Sequence, residues 1–148
     1  MKIQEGSLGR VFILRLEDGD TVPAAIDAFA CENNIKAACV FLLGGIRTGH
    51  VVCGPRQPDT LPPEPVVVPV HGIHEILGVG LIAPGADGGP GLHMHAALGR
   101  RGNATVGCIR PGLETWHIGE VVVFEILGVN VQRVLDAKTG FDLLDIIK

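Results

Sequence analysis

Two histidines and a cysteine form the most chemically suggestive group in the sequence. His93 and His95 occupy alternate positions in an apolar run, residues 92–98, and Cys108 follows in the next apolar run, residues 104–109. In a β-strand, alternate side chains point to the same face, so the two imidazoles would lie side by side. A glycine-containing turn over residues 99–103 can fold the second run back as a hairpin partner. The spacing therefore predicts that Cys108 lies opposite the histidines.

This set of side chains suits a transition metal. Two imidazoles and one thiolate are typical zinc ligands, and three protein ligands leave a fourth position for water or a substrate, as in catalytic zinc sites. The same spacing permits a simpler interpretation. Histidines are often hydrogen-bonded core or interface residues, and a buried cysteine commonly packs as a small hydrophobic side chain. From the spacing alone, both interpretations stay open.

Composition narrows the class of protein. The chain has 148 residues and 47% hydrophobic side chains, which predicts one domain over residues 1–148, with a sizeable core or with one face buried in an oligomer. Its 12 basic and 16 acidic residues give a formal charge of −4, which does not favour nucleic acid as a partner.

No apolar run approaches the length of about 18 residues that a membrane span needs, and the N-terminus lacks a signal peptide. Four cysteines without a CxxC pair are typical of a reduced compartment, so we expect a cytoplasmic protein without a disulfide framework.

Strand patterns outnumber helix patterns along the chain. One helix is predicted over residues 22–33, with Asp20 or Thr21 as its N-cap and with Ala25, Ile26, Phe29 and Ala30 as its apolar face. Residues 54–70 contain six prolines and predict a surface loop. Strands are predicted at residues 10–16, 36–43, 46–53, 71–83, 92–98, 104–109, 117–127 and 129–135, and a short element at 141–147. The fold class is therefore α+β, with a curved, mostly antiparallel mixed sheet or barrel packed on one main helix.

The order of these features resembles the plants-and-prokaryotes-conserved domain, a domain of unknown function that in plants follows AT-hooks. The resemblance covers nearly the whole chain in matching order. Its segments are residues 10–20, 32–38, 44–46, 72–77, 92–99 and 119–126. It implies a homotrimer and, in some prokaryotic members, a metal held by the two strand histidines and a later histidine. Cys108 stands where that later histidine would be. A thiolate would bind zinc more tightly than an imidazole; alternatively, the substitution marks a site that has lost its metal.

A more distant similarity is to acetolactate decarboxylase, whose zinc is held by a comparable histidine pair. It implies a second hypothesis, a metal-dependent lyase or hydrolase acting on a small carbonyl or ester compound. Glu120 is then the first choice for a general acid or base. Arg110, expected on the same strand face as the cysteine, would bind an anionic group of the substrate, and Trp116 would wall a pocket. His74 and His117 are further polar candidates. Ordinary interpretations exist as well: an ion pair for Glu120 and Arg110, a core residue for Trp116 and a surface residue for His117.

Two classes of function follow. The first is a stand-alone trimeric protein that binds a small molecule or a partner at a zinc site; the second is the enzyme. The sequence contains neither HExxH nor GxSxG, so it leaves enzymatic activity open. A third hypothesis, a DNA-associated regulatory protein, would follow from the resemblance to the plant members of the family. This chain has no Arg-Gly-Arg-Pro motif of an AT-hook, and we expect no direct, high-affinity DNA binding.

Overall fold

The chain folds into a strongly curved sheet with one short helix. The computed structural model describes residues 1–147. Its elements, in chain order, are β1 (Ser7–Glu17), β2 (Thr21–Val22), α1 (Ala24–Glu32), β3 (Ala38–Pro55), β4 (Pro65–Pro84), β5 (Pro90–Arg100), β6 (Asn103–Cys108), β7 (Leu113–Leu127), β8 (Val131–Leu135) and β9 (Asp142–Ile146). The predicted combination of a dominant sheet and a helix is confirmed, with the helix as a minor part.

The sheet runs in the order β1-β7-β3-β4-β5-β6, and β2 pairs with the start of β7. Every pairing among residues 1–147 is antiparallel, so the expectation of a mixed sheet was wrong. Curvature brings β6 back to β3 at one residue pair, Val52 and Cys108. One pair does not close a barrel, and the structure is therefore a curved open sheet. Strands β8 and β9 form a separate hairpin.

The two faces of the sheet differ sharply in burial. Along β4, Ile76 and Ile82 are buried in the core, whereas Leu77, Val79 and Leu81 between them are exposed. The buried side chains define an inner face, which α1 helps to cover through Ile26 and Ala30. As a result, any side chain at an alternate position of β3, β4 or β5 lies either in this core or on the outer face.

Gly44 and Gly45 do not divide β3 into the two predicted strands. Gly44 has a φ of 141°, and a Cβ at this position would lie 2.4 Å from the backbone oxygen of Ile118 on β7. The glycines therefore allow β7 to approach β3 closely at an irregularity of the ladder, and the strand continues through it. Strand β4 is also longer than predicted, because it begins at Pro65, inside the segment predicted as a proline-rich loop. Prolines are tolerated there because β5 pairs with β4 only from Glu75 onwards.

The helix begins later than predicted. Thr21 and Val22 pair with β7 as strand β2, and Pro23 is the N-cap residue, without a side-chain capping bond. Asp20 accepts a hydrogen bond from the backbone N–H of Glu17 at 2.8 Å and so stabilises the turn before β2 instead. The predicted apolar face of the helix is confirmed, with Phe29 in edge contact with Phe12. Within residues 1–147, no helix is long and apolar enough to cross a membrane.

Candidate metal centre

The predicted hairpin of β5 and β6 is confirmed and positions the three candidate ligands. The two strands pair in a register that places His95 directly opposite Cys108. Arg101 and Gly102 form the tight turn between the strands, with φ values of 50° and 78°. On the other side of β5, β4 places Leu81 opposite His93. Local strand geometry thus brings two imidazoles and a thiol to one area of the outer face.

The donor atoms lie close enough together to share one ion. The Nε2 atoms of His93 and His95 are 3.2 Å apart, and one donor atom from each of the two histidines and Cys108 lies within 4.8 Å of the others. Tetrahedral zinc with nitrogen bonds of about 2.0–2.1 Å requires nitrogens about 3.3 Å apart. The imidazoles already match this value. A sulfur and a nitrogen on one zinc would be about 3.6 Å apart, and the 4.8 Å limit on the donor separations is of the same order.

The three side chains differ in exposure. Cys108 is buried, His93 is half-buried and His95 is exposed. Met94, between the histidines, points to the opposite face and is buried in the core, as predicted. The cluster therefore has a closed floor and an open outer side, which is the arrangement that an exchangeable ligand requires.

The charges of two arginines act on the cluster. Burial lowers the pKa of His93, and the charges of Arg133, His95 and Arg110 lower it further. The neutral imidazole is the form that binds metals. Burial also lowers the pKa of Arg133, as does the charge of Arg110, against the opposing effects of Asp142 and Cys108. Two arginines therefore face this part of the outer surface.

Arg110 lies beside the cluster, but on a different element from the one predicted. Strand β6 ends at Cys108, and Arg110 is exposed in the turn that follows, so it does not share a strand face with the cysteine. It lines an open groove of about 510 Å³ together with Asp27 and His50. The Asp27 carboxylate accepts a hydrogen bond of 2.7 Å from the backbone N–H of Leu92, the residue before His93. Burial raises the pKa of Asp27, against the effect of this hydrogen bond.

Glu120 is not brought to the cluster within one chain. It is exposed on β7, in register with Leu43 of β3, and both β3 and β4 separate β7 from β5. Three strand spacings amount to about 14 Å. Within a single chain Glu120 therefore lies apart from the cluster, because the order of strands in the sheet differs from their order in the sequence.

Three other candidates lie away from the cluster, His74 near the middle of β4 and Trp116 and His117 on β7. His74 pairs with Ile46 and contacts the backbone oxygen of Gly72 at 2.8 Å. Seven residues separate His74 from Leu81, the neighbour of His93, which corresponds to roughly 23 Å along a strand. Trp116 packs over Gly45 and stacks on His117 at 4.3 Å between ring centroids. Trp116 and His117 thus belong to the β3–β7 packing, and none of the three residues lies at the cluster.

Arg133 was missed by the sequence analysis. It lies on β8, and its Nη2 atom donates a hydrogen bond of 3.3 Å to the backbone oxygen of Leu81, which is opposite His93 in the sheet. Nothing in the local pattern distinguishes it from a surface arginine. A long-range contact between the β8–β9 hairpin and the sheet places it there.

An exposed apolar surface adjoins the cluster. This outer apolar face consists of Phe41, Leu43, Leu77, Val79 and Leu81, each of which is between 40% and 63% exposed. In the sheet register Phe41 is paired with Val79 and Leu43 with Leu77, so the side chains form one continuous area. Val79 is also opposite His95, which makes the candidate ligands a border of this face.

Comparison with known proteins agrees with this architecture. A protein from Pyrococcus horikoshii described as plant- and prokaryote-conserved superimposes with a TM-score of 0.85 at 24% identity, over 100% of this chain and 99% of its own. A metal-containing protein from Archaeoglobus fulgidus gives a TM-score of 0.85 at 26% identity, over 100% of both chains. A candidate DNA-binding protein from Ralstonia eutropha gives a TM-score of 0.75 at 16% identity, over 91% of this chain and 90% of its own.

No curated protein matches the sequence. The sequence model of the Plants and Prokaryotes Conserved domain matches residues 3–127, which include β1 to β7 and all three candidate ligands. The chain therefore belongs to the Plants and Prokaryotes Conserved domain family.

Proposed function

We propose that this chain is a homotrimeric metal-binding protein that holds one zinc ion through His93, His95 and Cys108 and binds a small ligand there. The observation that carries the proposal is the convergence of three donor atoms within 4.8 Å on the outer face of the sheet. The relative from Archaeoglobus fulgidus, which is described as containing a metal, supports it. Bound zinc would supply a Lewis acid, and the chain would supply the open side of the cluster and the neighbouring arginines.

The choice of zinc follows from the donor types. A thiolate with two imidazoles favours zinc over magnesium or calcium, which prefer oxygen ligands. Cys108 is buried and lies directly opposite His95 on the paired strand. The substitution of cysteine for the family's histidine is therefore compatible with a working site.

The outer apolar face supports the trimer. Apolar patches of this kind on a soluble protein commonly mark an interface. A second and third copy of the chain are the proposed occupants, because closed symmetric assemblies are the usual solution for identical subunits. In such an assembly the candidate metal centre would lie at the border between subunits.

Zinc titration calorimetry of the metal-free protein tests this proposal. We expect one zinc site per chain. Loss of a residue that only supports a metal ligand weakens metal binding by about 10- to 100-fold, and we expect Cys108→Ser and His95→Ala each to weaken zinc binding by more than this. Cys31→Ser and His71→Ala are matched controls, because both side chains are exposed and belong to other parts of the fold. Equal effects in ligand and control variants would contradict the assignment.

A metal-dependent lyase or hydrolase acting on a small carbonyl or ester compound is the second candidate. The position of Arg110 beside His93 favours it, since a guanidinium can orient an anionic substrate. No acid from β7 supplements the cluster within one chain, so proton transfer would depend on the cluster itself or on a neighbouring subunit.

DNA is a weaker candidate. The Ralstonia relative bears that description, but this chain has a formal charge of −4.

A further inference from the structure

We propose that Arg110 and Arg133 form an oxyanion subsite beside the His93, His95 and Cys108 cluster, which selects ligands that carry a carboxylate or phosphate group. This inference rests on the proposed ligand-binding function and specifies the chemical class of the ligand. It also assigns a role to the β8–β9 hairpin, which lies beyond the residues that the family model matches.

The first support is the placement of Arg133. Its side chain is partly buried, and one terminal nitrogen bonds to the backbone oxygen of Leu81, so the guanidinium is anchored next to His93. Its Nε atom is buried and has no hydrogen-bond partner among residues 1–147. A buried donor without a partner costs free energy, and a bound oxyanion could accept its hydrogen bond.

The second support is the placement of Arg110. The turn after β6 carries it two residues beyond Cys108, where it is exposed and lines the groove of about 510 Å³. The backbone N–H of Ile109 donates a hydrogen bond of 3.1 Å to the backbone oxygen of Met94, so the β5–β6 register continues past Cys108 and brings Arg110 level with His93. The charges of Arg110 and Arg133 both lower the pKa of His93. The two arginines therefore approach His93 from different elements, Arg133 from the side of β4 and Arg110 from the end of β6.

The third support is the lack of an ion-paired acid among residues 1–147. Neither arginine forms a salt bridge with any of residues 1–147, whereas Arg10, Arg47 and Arg56 each do. Asp142 is the one carboxylate whose charge acts on Arg133, and it forms no ion pair with it within that range. Two neighbouring cations repel each other, and zinc would add to their charge. A bound oxyanion relieves this repulsion, and the planar guanidinium matches a carboxylate or phosphate with two parallel hydrogen bonds.

Calorimetric titration of the full chain tests the subsite, in the zinc-loaded and in the metal-free form, at constant ionic strength. The probes are inorganic phosphate, acetate and the uncharged analogue acetamide. We expect phosphate or acetate to bind, acetamide not to bind, and Arg110→Gln or Arg133→Gln to weaken anion binding by about tenfold or more. The matched control is Arg101→Gln, which removes the same charge from an exposed position in the β5–β6 turn. It should leave anion binding unchanged.

The outcomes separate the two proposals. A preference for phosphate or for acetate identifies the source of the oxyanion. If Arg101→Gln weakens binding as much as Arg110→Gln, or if neither form of the wild-type chain binds an anion, the subsite is refuted. If the chain takes up no zinc, the proposed metal function fails, and the arginine dependence of the metal-free protein still decides the subsite. If zinc binds and the double arginine variant retains full anion affinity, only the subsite fails. Arg110→Gln serves this test even if Arg133→Gln unfolds, because Arg110 is exposed.

Discussion

The outer apolar face provides the sharpest test of assembly, through the substitution Leu77→Lys. Leu77 is 63% exposed in the single chain, so about two thirds of its side chain remains to be buried by a partner. Complete burial of a leucine contributes about 1.5–3 kcal/mol, which leaves about 1–2 kcal/mol for each copy. A trimer contains the substitution three times and would lose about 3–6 kcal/mol, before the cost of burying a lysine. Each 1.4 kcal/mol is a factor of ten, so association should weaken by about 10²- to 10⁴-fold.

Sedimentation equilibrium over micromolar concentrations measures this effect. We expect a wild-type trimer and a Leu77→Lys variant that dissociates to monomers, with a circular dichroism spectrum that is unchanged because Leu77 does not contribute to the inner core. Leu61→Lys is the matched control, since Leu61 is 52% exposed but lies in the loop between β3 and β4. A wild-type monomer would refute the trimer. A Leu77→Lys trimer of undiminished affinity would show that the subunits associate through another surface.

Three further predictions concern the scaffold and its partners. The Arg10 side chain donates hydrogen bonds to Glu125 and lowers the pKa of that carboxyl from 4.5 to about 2, so the pair stabilises the fold fully above pH 4.5 and progressively less as pH falls towards 2. Glu125→Gln should therefore lower the free energy of unfolding at pH 7 by about 1–2 kcal/mol, and urea titrations should show this difference shrinking between pH 4.5 and 2; a constant difference would contradict the assigned pair. Gly44→Ala should lower the melting temperature, because its Cβ would meet the Ile118 oxygen at 2.4 Å; an unchanged value in a thermal scan would show that β7 can move away. In gel-shift titrations at physiological salt, DNA should bind weakly and lose affinity as salt rises; sub-micromolar binding would contradict the argument from charge.

The parts of the site that depend on local geometry could be predicted from the sequence. His93 and His95 share a face because strands repeat every two residues, and a turn at Gly102 returns the chain so that Cys108 faces His95. Residues brought in by long-range packing could not be predicted in this way. Arg133 reaches the cluster from a hairpin whose contact with β4 no local pattern encodes.

The misplaced candidates have the same physical cause. Glu120 follows Cys108 closely in sequence, but β7 pairs with β1 and β3 and lies three strands from β5. Arg110 was assigned to the strand face of Cys108, whereas strand β6 ends at Cys108 and Arg110 lies in the turn that Gly112 closes by a hydrogen bond to Ile109. Gly44 and Gly45 were interpreted as the end of one strand and the start of another, because glycine weakens strands. In the structure they permit close contact between β3 and β7 within one continuous strand.

X-ray absorption spectroscopy at the zinc edge, on protein loaded with one equivalent of zinc and then desalted, measures whether His93, His95 and Cys108 hold a metal. We expect one retained zinc per chain, with one sulfur ligand at about 2.3 Å and nitrogen ligands at about 2.0–2.1 Å. The sulfur signal should disappear in Cys108→Ser and persist in Cys31→Ser. A protein that retains no zinc, or that holds it without a sulfur ligand, would contradict the assignment of His93, His95 and Cys108 as a metal centre.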